Sequence, residues 1–102
     1  MNAHLLVMYP MPKDPKAFDR AYREEHLPYA GPRLVGATSV VSKRVAPTGD
    51  APRYYAISDV TFPSLAKLQA CAESTGKEAL AHAASISSGG PPTLLVITDD
   101  FA

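Results

Sequence analysis

His4-Leu-Leu-Val-Met-Tyr9 is the run that decides the fold. It is apolar throughout, and Pro10 stops it, because proline has no N–H to give a ladder. Read as a strand, it sends Leu5, Val7 and Tyr9 to one face and Leu6 and Met8 to the other. A strand that is apolar on both faces belongs in the middle of a sheet, with a cover on each side.

The rest of the chain supplies the partners for this strand. Asp14-Pro15 offers an N-cap residue followed by proline at the first helical position, so a helix begins there and runs to about Leu27. Pro28 cannot donate to the carbonyl of Glu24, and the helix is expected to kink or end beside it, with Gly31-Pro32 completing the break. Residues 34–46 are rich in Val and Thr and read as a long strand, 47–52 as a turn cluster, and 53–62 as a second long strand pairing antiparallel with its predecessor. Pro63 then opens a helix with Leu65, Leu68 and Ala72 on one face. Thr75-Gly-Lys-Glu78 has the form of a capping box and starts a second piece with Ala79, His82, Ala83 and Ile86 on one side. Residues 87–92 are a Gly/Pro loop, and 93–99 form the last strand.

Strand, helix, strand, strand, helix, strand predicts an α+β fold: a ferredoxin-like βαββαβ sandwich with a four-stranded antiparallel sheet and both helices on one face. The first and third strands are then central. In the last strand Leu94 and Val96 oppose Leu95 and Ile97, so the sheet is apolar on the side the helices do not cover. A patch of that kind is unusual on a monomer, and the expected cover is the same face of a second copy, giving a homodimer.

The chain of 102 residues fits a single domain spanning 1–102, with 46% hydrophobic residues and ten basic side chains balancing ten acidic ones. Without a basic block, no nucleic-acid partner is expected. No run reaches the ~20 apolar residues of a membrane span, so no membrane partner is expected either. The N-terminus carries no signal-peptide pattern, and Cys71 is the only cysteine. A cytoplasmic setting is therefore expected, with Cys71 a small buried hydrophobe. His4, His26 and His82 lack ligand spacing, so no metal site is predicted. The absence of G-x-G-x-x-G, P-loop and G-x-S-x-G patterns points to no nucleotide cofactor and no serine-hydrolase chemistry.

The chemistry-bearing stretch is Phe18-Asp-Arg-Ala-Tyr-Arg-Glu-Glu-His-Leu-Pro28. At ~100° per residue, Phe18, Tyr22, Glu25, His26 and Tyr29 fall within a sector of roughly 100°, while Arg20, Arg23 and Glu24 point away. That stripe carries groups that donate, accept and titrate where a core stripe carries Leu, Ile and Val. His26 reads as a general acid or base, with Glu25 or Asp59 to orient it. Equally, it reads as a helix-end histidine bonding the carbonyls that Pro28 leaves free. Tyr22, Tyr29 and one of Tyr54 and Tyr55 read either as walls for an aromatic ligand or as plain packing. Tyr54 and Tyr55 must point to opposite faces, so only one can line a helix-side pocket.

The run ending Tyr9-Pro10, the Phe18…Tyr22-x-x-x-His26-x-Pro28 helix, Gly36, Phe62-x-Ser64 and Gly76-Lys-Glu-Ala79 together resemble the EthD-like family, named for ethyl tert-butyl ether degradation. The resemblance spans nearly the whole chain. It implies a dimeric α/β barrel whose subunits join through their sheets, and a pocket between sheet and helices into which His26 projects beside Tyr22. Relatives in the wider superfamily include cofactor-free cyclases, muconolactone isomerases, quinol-forming monooxygenases and haem-handling proteins. His82 and Ile86 depart from the pattern, in which an acidic residue stands near position 82 and an aromatic near 86.

Three functions are consistent with these residues. The first is a cofactor-independent cyclase, isomerase or lyase acting by proton transfer on a small aromatic or lactone-like catabolic intermediate. His26 is then the catalytic residue, and Tyr22, Phe18, Tyr29, Tyr54 and Glu25 contact the substrate. The second is a non-catalytic carrier of a small hydrophobic ligand, accessory to an oxygenase. The third is a haem- or oxygen-handling protein with a histidine as axial ligand.

Overall fold

A computed structural model describes residues 1–50 and 53–100, so part of the expected turn cluster, Ala51 and Pro52, lies outside the described residues. The strands are β1 (Ala3–Tyr9), β2 (Ser39–Arg44), β3 (Ala56–Phe62) and β4 (Thr93–Thr98), with helices α1 (Pro15–Ala21), α2 (Leu27–Ala30), α3 (Leu65–Ala72) and α4 (Gly76–Ile86). They form one antiparallel sheet in the order β2-β3-β1-β4. The two strands expected at the centre are there, and the fold is the ferredoxin-like α+β sandwich.

Local chemistry explains most of the boundaries. The Asp14 side chain accepts from the Ala17 amide at 3.2 Å, and Ser64 does the same for Lys67 at 3.2 Å, so α1 and α3 each begin on a side-chain cap. β2 starts later than the 34–46 run suggested. Gly36 turns the chain with φ +94°, a left-handed conformation that side-chain-bearing residues rarely adopt, and pairing begins only after it. β3 likewise starts at Ala56, although Tyr55 still donates to the Tyr9 carbonyl at 2.7 Å. The capping box at Thr75 does not form. Thr75 is already helical (φ −63°, ψ −23°), and its hydroxyl donates to the Arg33 carbonyl, while Glu78 pairs with Arg33.

The helices lie on the sheet face that carries Leu5, Val7 and Tyr9 of β1 and Val60 and Phe62 of β3. Phe18, Leu68, Cys71 and Ala83 close the core from above. Burying each of the larger side chains contributes about 1.5–3 kcal/mol, and Tyr9 and Phe62 are the two most completely enclosed. Cys71 is buried, as expected, and burial pushes its thiol up. On the opposite face Val41, Leu95 and Ile97 are 45%, 47% and 42% exposed. β4 is more open than a one-sided cover implies: Leu94 and Val96, on the helix side, are 45% and 51% exposed. Among the described residues no helix is long and apolar enough to cross a membrane.

Candidate functional site

The helix expected to kink or end beside Pro28 does not end there: it widens and passes through. Residues Tyr22–His26 form a π-helical turn in which the Leu27 amide donates to the Tyr22 carbonyl, five residues back, and α2 then carries the chain on to Ala30. Proline has no N–H to offer the Glu24 carbonyl, and the wider turn carries the chain through that missing bond. The same turn brings the rings of Tyr22 and His26 together, with centroids 5.4 Å apart and planes inclined by 30°. Such single-turn π segments are frequent at functional sites.

Beneath this turn lies a cavity of about 280 Å³. An apolar cavity of ~150 Å³ holds benzene, so this one suits a ligand roughly twice that size. Its floor is the sheet: Leu5, Val7 and Tyr9 from β1, Val40 and Ser42 from β2, Ser58 and Val60 from β3. Tyr22, His26, Leu27 and Ala30 form one wall and Ala79, Leu80 and Ala83 of α4 another. No Lys, Arg, Asp or Glu is among the lining residues, so the cavity is apolar apart from one imidazole and a group of hydroxyls.

His26 is 7% exposed, and its one side-chain hydrogen bond among the described residues runs from Nδ1 to Nδ1 of His82, at 3.0 Å. One of these nitrogens must donate and the other accept, so the pair shares one proton. If His26 donates, its Nε2 is a bare base. If His82 donates, His26 Nε2 carries the hydrogen. Burial first, and the neighbouring His82 second, lower the pKa of His26 to about 4, so it is neutral across the physiological range. His82 is itself fixed by stacking: its ring lies 4.7 Å from Tyr29, and the Arg33 guanidinium caps the far side of Tyr29 at 3.7 Å.

At the other end of the cavity Tyr22 turns its hydroxyl to both Ser42 Oγ and Ser58 Oγ. Tyr9 stands edge-on to Tyr22 at 5.8 Å and to Phe18 at 5.0 Å. The Tyr9 hydroxyl is buried; among the described residues no group meets it in ordinary hydrogen-bond geometry, and the Ser58 side chain interacts with it weakly. Burial raises its pKa above the ordinary phenol range, so it keeps its proton.

Of the residues expected at the site, His26 and Tyr22 line the cavity. Phe18 is packed behind Tyr9 and Tyr22 and lines a second hollow that shares Tyr22, Leu27 and Ser42 with the first. Tyr29 supports His82 and does not line the cavity. Tyr54 is a correction: its hydroxyl donates to Thr93 at 3.4 Å, while Tyr55 takes the helix side and donates to Asp19 at 2.9 Å. Glu25 is exposed and Asp59 bonds His4 at 2.8 Å on the open sheet face, so neither orients His26; His82 does. The sequence reading missed Tyr9, Ser42 and Ser58. Their signal was strand alternation, which places all three on the helix side of the sheet once the register is known.

His4 has no part in the cavity. Its Nδ1 lies 2.8 Å from Asp59 and its Nε2 2.8 Å from Asp99, and these bonds, Asp59 first, raise its pKa. Among the described residues no three His, Cys, Asp or Glu side chains converge on a common point.

No protein-family model matches the chain. It is 32% identical over 95 residues to an uncharacterized 11.0 kDa protein of the thcB-thcC intergenic region in Rhodococcus erythropolis, covering 92% of this chain and 90% of that one. The chain belongs to that protein's family. Its fold is EthD-like: an ethyl tert-butyl ether degradation family protein from Bacillus halodurans superposes with a TM-score of 0.85 at 22% identity, over 98% of this chain and all of the other. The EthD-like resemblance read from Tyr9-Pro10 through Gly76-Lys-Glu-Ala79 is thus borne out. A dimeric ferredoxin-like protein from Jannaschia superposes at 0.68 and 21% identity, covering 96% of this chain and 99% of that one. The EthD-like fold supplies the sheet floor and helical roof between which the cavity lies.

Proposed function

We propose that this protein is a cofactor-independent proton-transfer enzyme, a cyclase, isomerase or lyase. It binds a small, neutral, largely apolar catabolic intermediate in the cavity and uses His26 as base and then acid. The observation that carries this reading is the imidazole in the apolar wall: Nδ1 is tied to His82, which leaves Nε2 for the occupant. A neutral base in a water-poor cavity meets the first requirement for abstracting a proton beside a carbonyl. The apolar lining supplies binding, and Tyr22 supplies stacking and a hydroxyl.

A second reading, a non-catalytic carrier, is favoured by one observation. A histidine whose pKa lies near 4 is a weak base, well suited to a plain hydrogen bond. Exchange of solvent deuterium into small cyclic ketones and lactones separates the two readings. The enzyme reading expects exchange by the wild-type protein and its loss in a folded His26→Gln variant. Binding without exchange, or exchange that His26→Gln retains, sinks it; the first of these results selects the carrier.

We also propose that the working unit is a homodimer joined through the open sheet face. The exposed Val41, Leu95 and Ile97 there support it, as does the dimeric description of the Jannaschia protein of the same fold.

A further inference from the structure

Besides His26, the polar side chains of the cavity are hydroxyls, and their protons outnumber their contacts. Ser42 of β2 and Ser58 of β3 stand directly opposite each other in the sheet, and the Tyr22 hydroxyl meets both from the helical wall. These three hydroxyls carry three protons, and the two contacts among them use two. Ser58 also interacts weakly with the buried Tyr9 hydroxyl, which makes four protons for three contacts. A chain of hydroxyls always has one proton more than it has links. One O–H donor is therefore left over in every arrangement, and none of the four has a further hydrogen-bond partner among the described residues.

Burial decides where the surplus proton sits. Tyr9 is 1% exposed and Ser58 is the one hydroxyl that relieves it, so the Tyr9 proton turns toward Ser58 and not into apolar packing. Ser58 is 5% exposed and lies between Tyr9 and Tyr22, so it hands the direction on. Tyr9 then donates to Ser58, Ser58 to Tyr22 and Tyr22 to Ser42, and the free proton is on Ser42, the exposed end of the chain. Ser42 lines both the cavity and the hollow beside it. Water can take this proton while the cavity is empty. An occupant that displaces the water either offers an acceptor or forfeits a hydrogen bond. The lining holds no cation that would pair with a carboxylate or phosphate, so that acceptor is neutral.

We propose that the Tyr22–Ser42–Ser58 cluster is the oxygen subsite of the cavity, and that its ligands are small cyclic ketones or lactones. The carbonyl accepts from the surplus O–H while the ring lies in the apolar remainder beside His26. A carbonyl oxygen suits this place because it accepts without bringing a proton of its own, and so completes the count. Tyr22 joins the two ends: its hydroxyl rests on the serines and its ring lies 5.4 Å from that of His26. This names the ligand class for the cavity described above. It rests on that cavity being the binding site, for catalyst and carrier alike, and not on the proton transfer.

The probes are 1-indanone and indane, which share a carbon frame and differ by the oxygen. The quantity read is the ratio of their affinities. All three hydroxyls must go, because the count leaves a donor wherever one remains. From wild type to the triple variant Ser42→Ala, Tyr22→Phe, Ser58→Ala the ratio should fall about 10-fold, the effect of one net hydrogen bond. Indane binding should be unchanged, which also shows the variant is folded. His26→Leu, which removes the other polar group of the wall, should keep the wild-type ratio within about 2-fold. A triple variant that binds indane and keeps the wild-type ratio overturns the proposal. So does a ratio that falls about 10-fold in His26→Leu, since the imidazole would then be the donor. The two readings fail separately. Wild type that binds neither probe removes the cavity as a ligand site and the oxygen subsite with it, whereas binding of both with a ratio blind to the hydroxyls removes the subsite alone. A hydroxyl-dependent ratio without deuterium exchange upholds the subsite and removes the proton transfer.

Discussion

At the scale of single residues the site rests on how two imidazoles share one proton. His26 is neutral because it is buried and because His82 stands beside it, and these two causes are separable. In an NMR titration the His26 ring should show its midpoint at about 4. In His82→Ala the midpoint should rise toward the ordinary 6.5, stopping short because burial remains. A wild-type midpoint near 6.5 would mean that water reaches the ring freely. Stability follows the same shift. The folded pKa lies below the unfolded one, so the contribution of His26 is fully present above pH 6.5. It is lost as pH falls toward 4, by as much as ~3 kcal/mol, because only the unfolded chain takes up the proton in that window. Urea unfolding of wild type and His26→Gln between pH 7 and 4 should show the wild type losing more. Tyr9→Phe is expected to change stability by no more than about 1 kcal/mol, since the buried hydroxyl it removes has only a weak interaction with the Ser58 side chain, outside ordinary hydrogen-bond geometry.

At the scale of elements, what the sequence revealed depended on whether the physics was periodic. Alternation in His4-Leu-Leu-Val-Met-Tyr9 assigned both faces of β1 correctly, and the Asp14-Pro15 cap placed the start of α1. The 3.6-residue stripe brought Tyr22 and His26 to the same wall. Features that break a period stayed hidden. A π turn adds a residue to the helix, so the kink or end expected at Pro28 takes the form of a widened turn through which the helix continues. The His26–His82 pair joins residues 56 apart in the chain, and no local pattern announces such a contact. Gly76 shows the same limit. Thr75-Gly-Lys-Glu78 reads as a capping box, yet the glycine is required because a Cβ there would sit 2.5 Å from the Cys71 carbonyl oxygen. That neighbour is backbone and cannot swing aside. Gly76→Ala should therefore cost about 2 kcal/mol in urea unfolding. Glu78→Ala, which removes only an exposed ion pair with Arg33, should cost under ~1 kcal/mol. Equal effects of the two substitutions would return the weight to the capping box.

For the whole molecule, the decisive feature is the sheet face the helices leave bare. β1 and β4 put Leu6 opposite Leu95 and His4 opposite Ile97, and β3 brings Asp59 beside Leu6. His4 therefore sits amid apolar neighbours, held between Asp59 and Asp99. Its folded pKa is raised, so its contribution is fully present below the unfolded value of 6.5 and fades as pH rises through the folded pKa. Covered by a second copy, this charge network becomes part of the interface. In an isologous dimer every substitution counts twice, because each patch meets its own copy. Leu95→Lys places an unpaired ammonium on that face in both subunits, and burying such a charge costs several kcal/mol. In sedimentation at micromolar concentration, wild type is expected at twice the 10.9 kDa chain mass and Leu95→Lys at the chain mass itself, its dimer weakened at least ~100-fold. Lys43, on the same face of the edge strand β2, provides the control: Lys43→Ala removes a charge without adding one and should leave the dimer intact. A wild-type monomer would leave Val41, Leu95 and Ile97 open to water and remove the dimer from the mechanism. The cavity, built from one chain's own residues, would still stand.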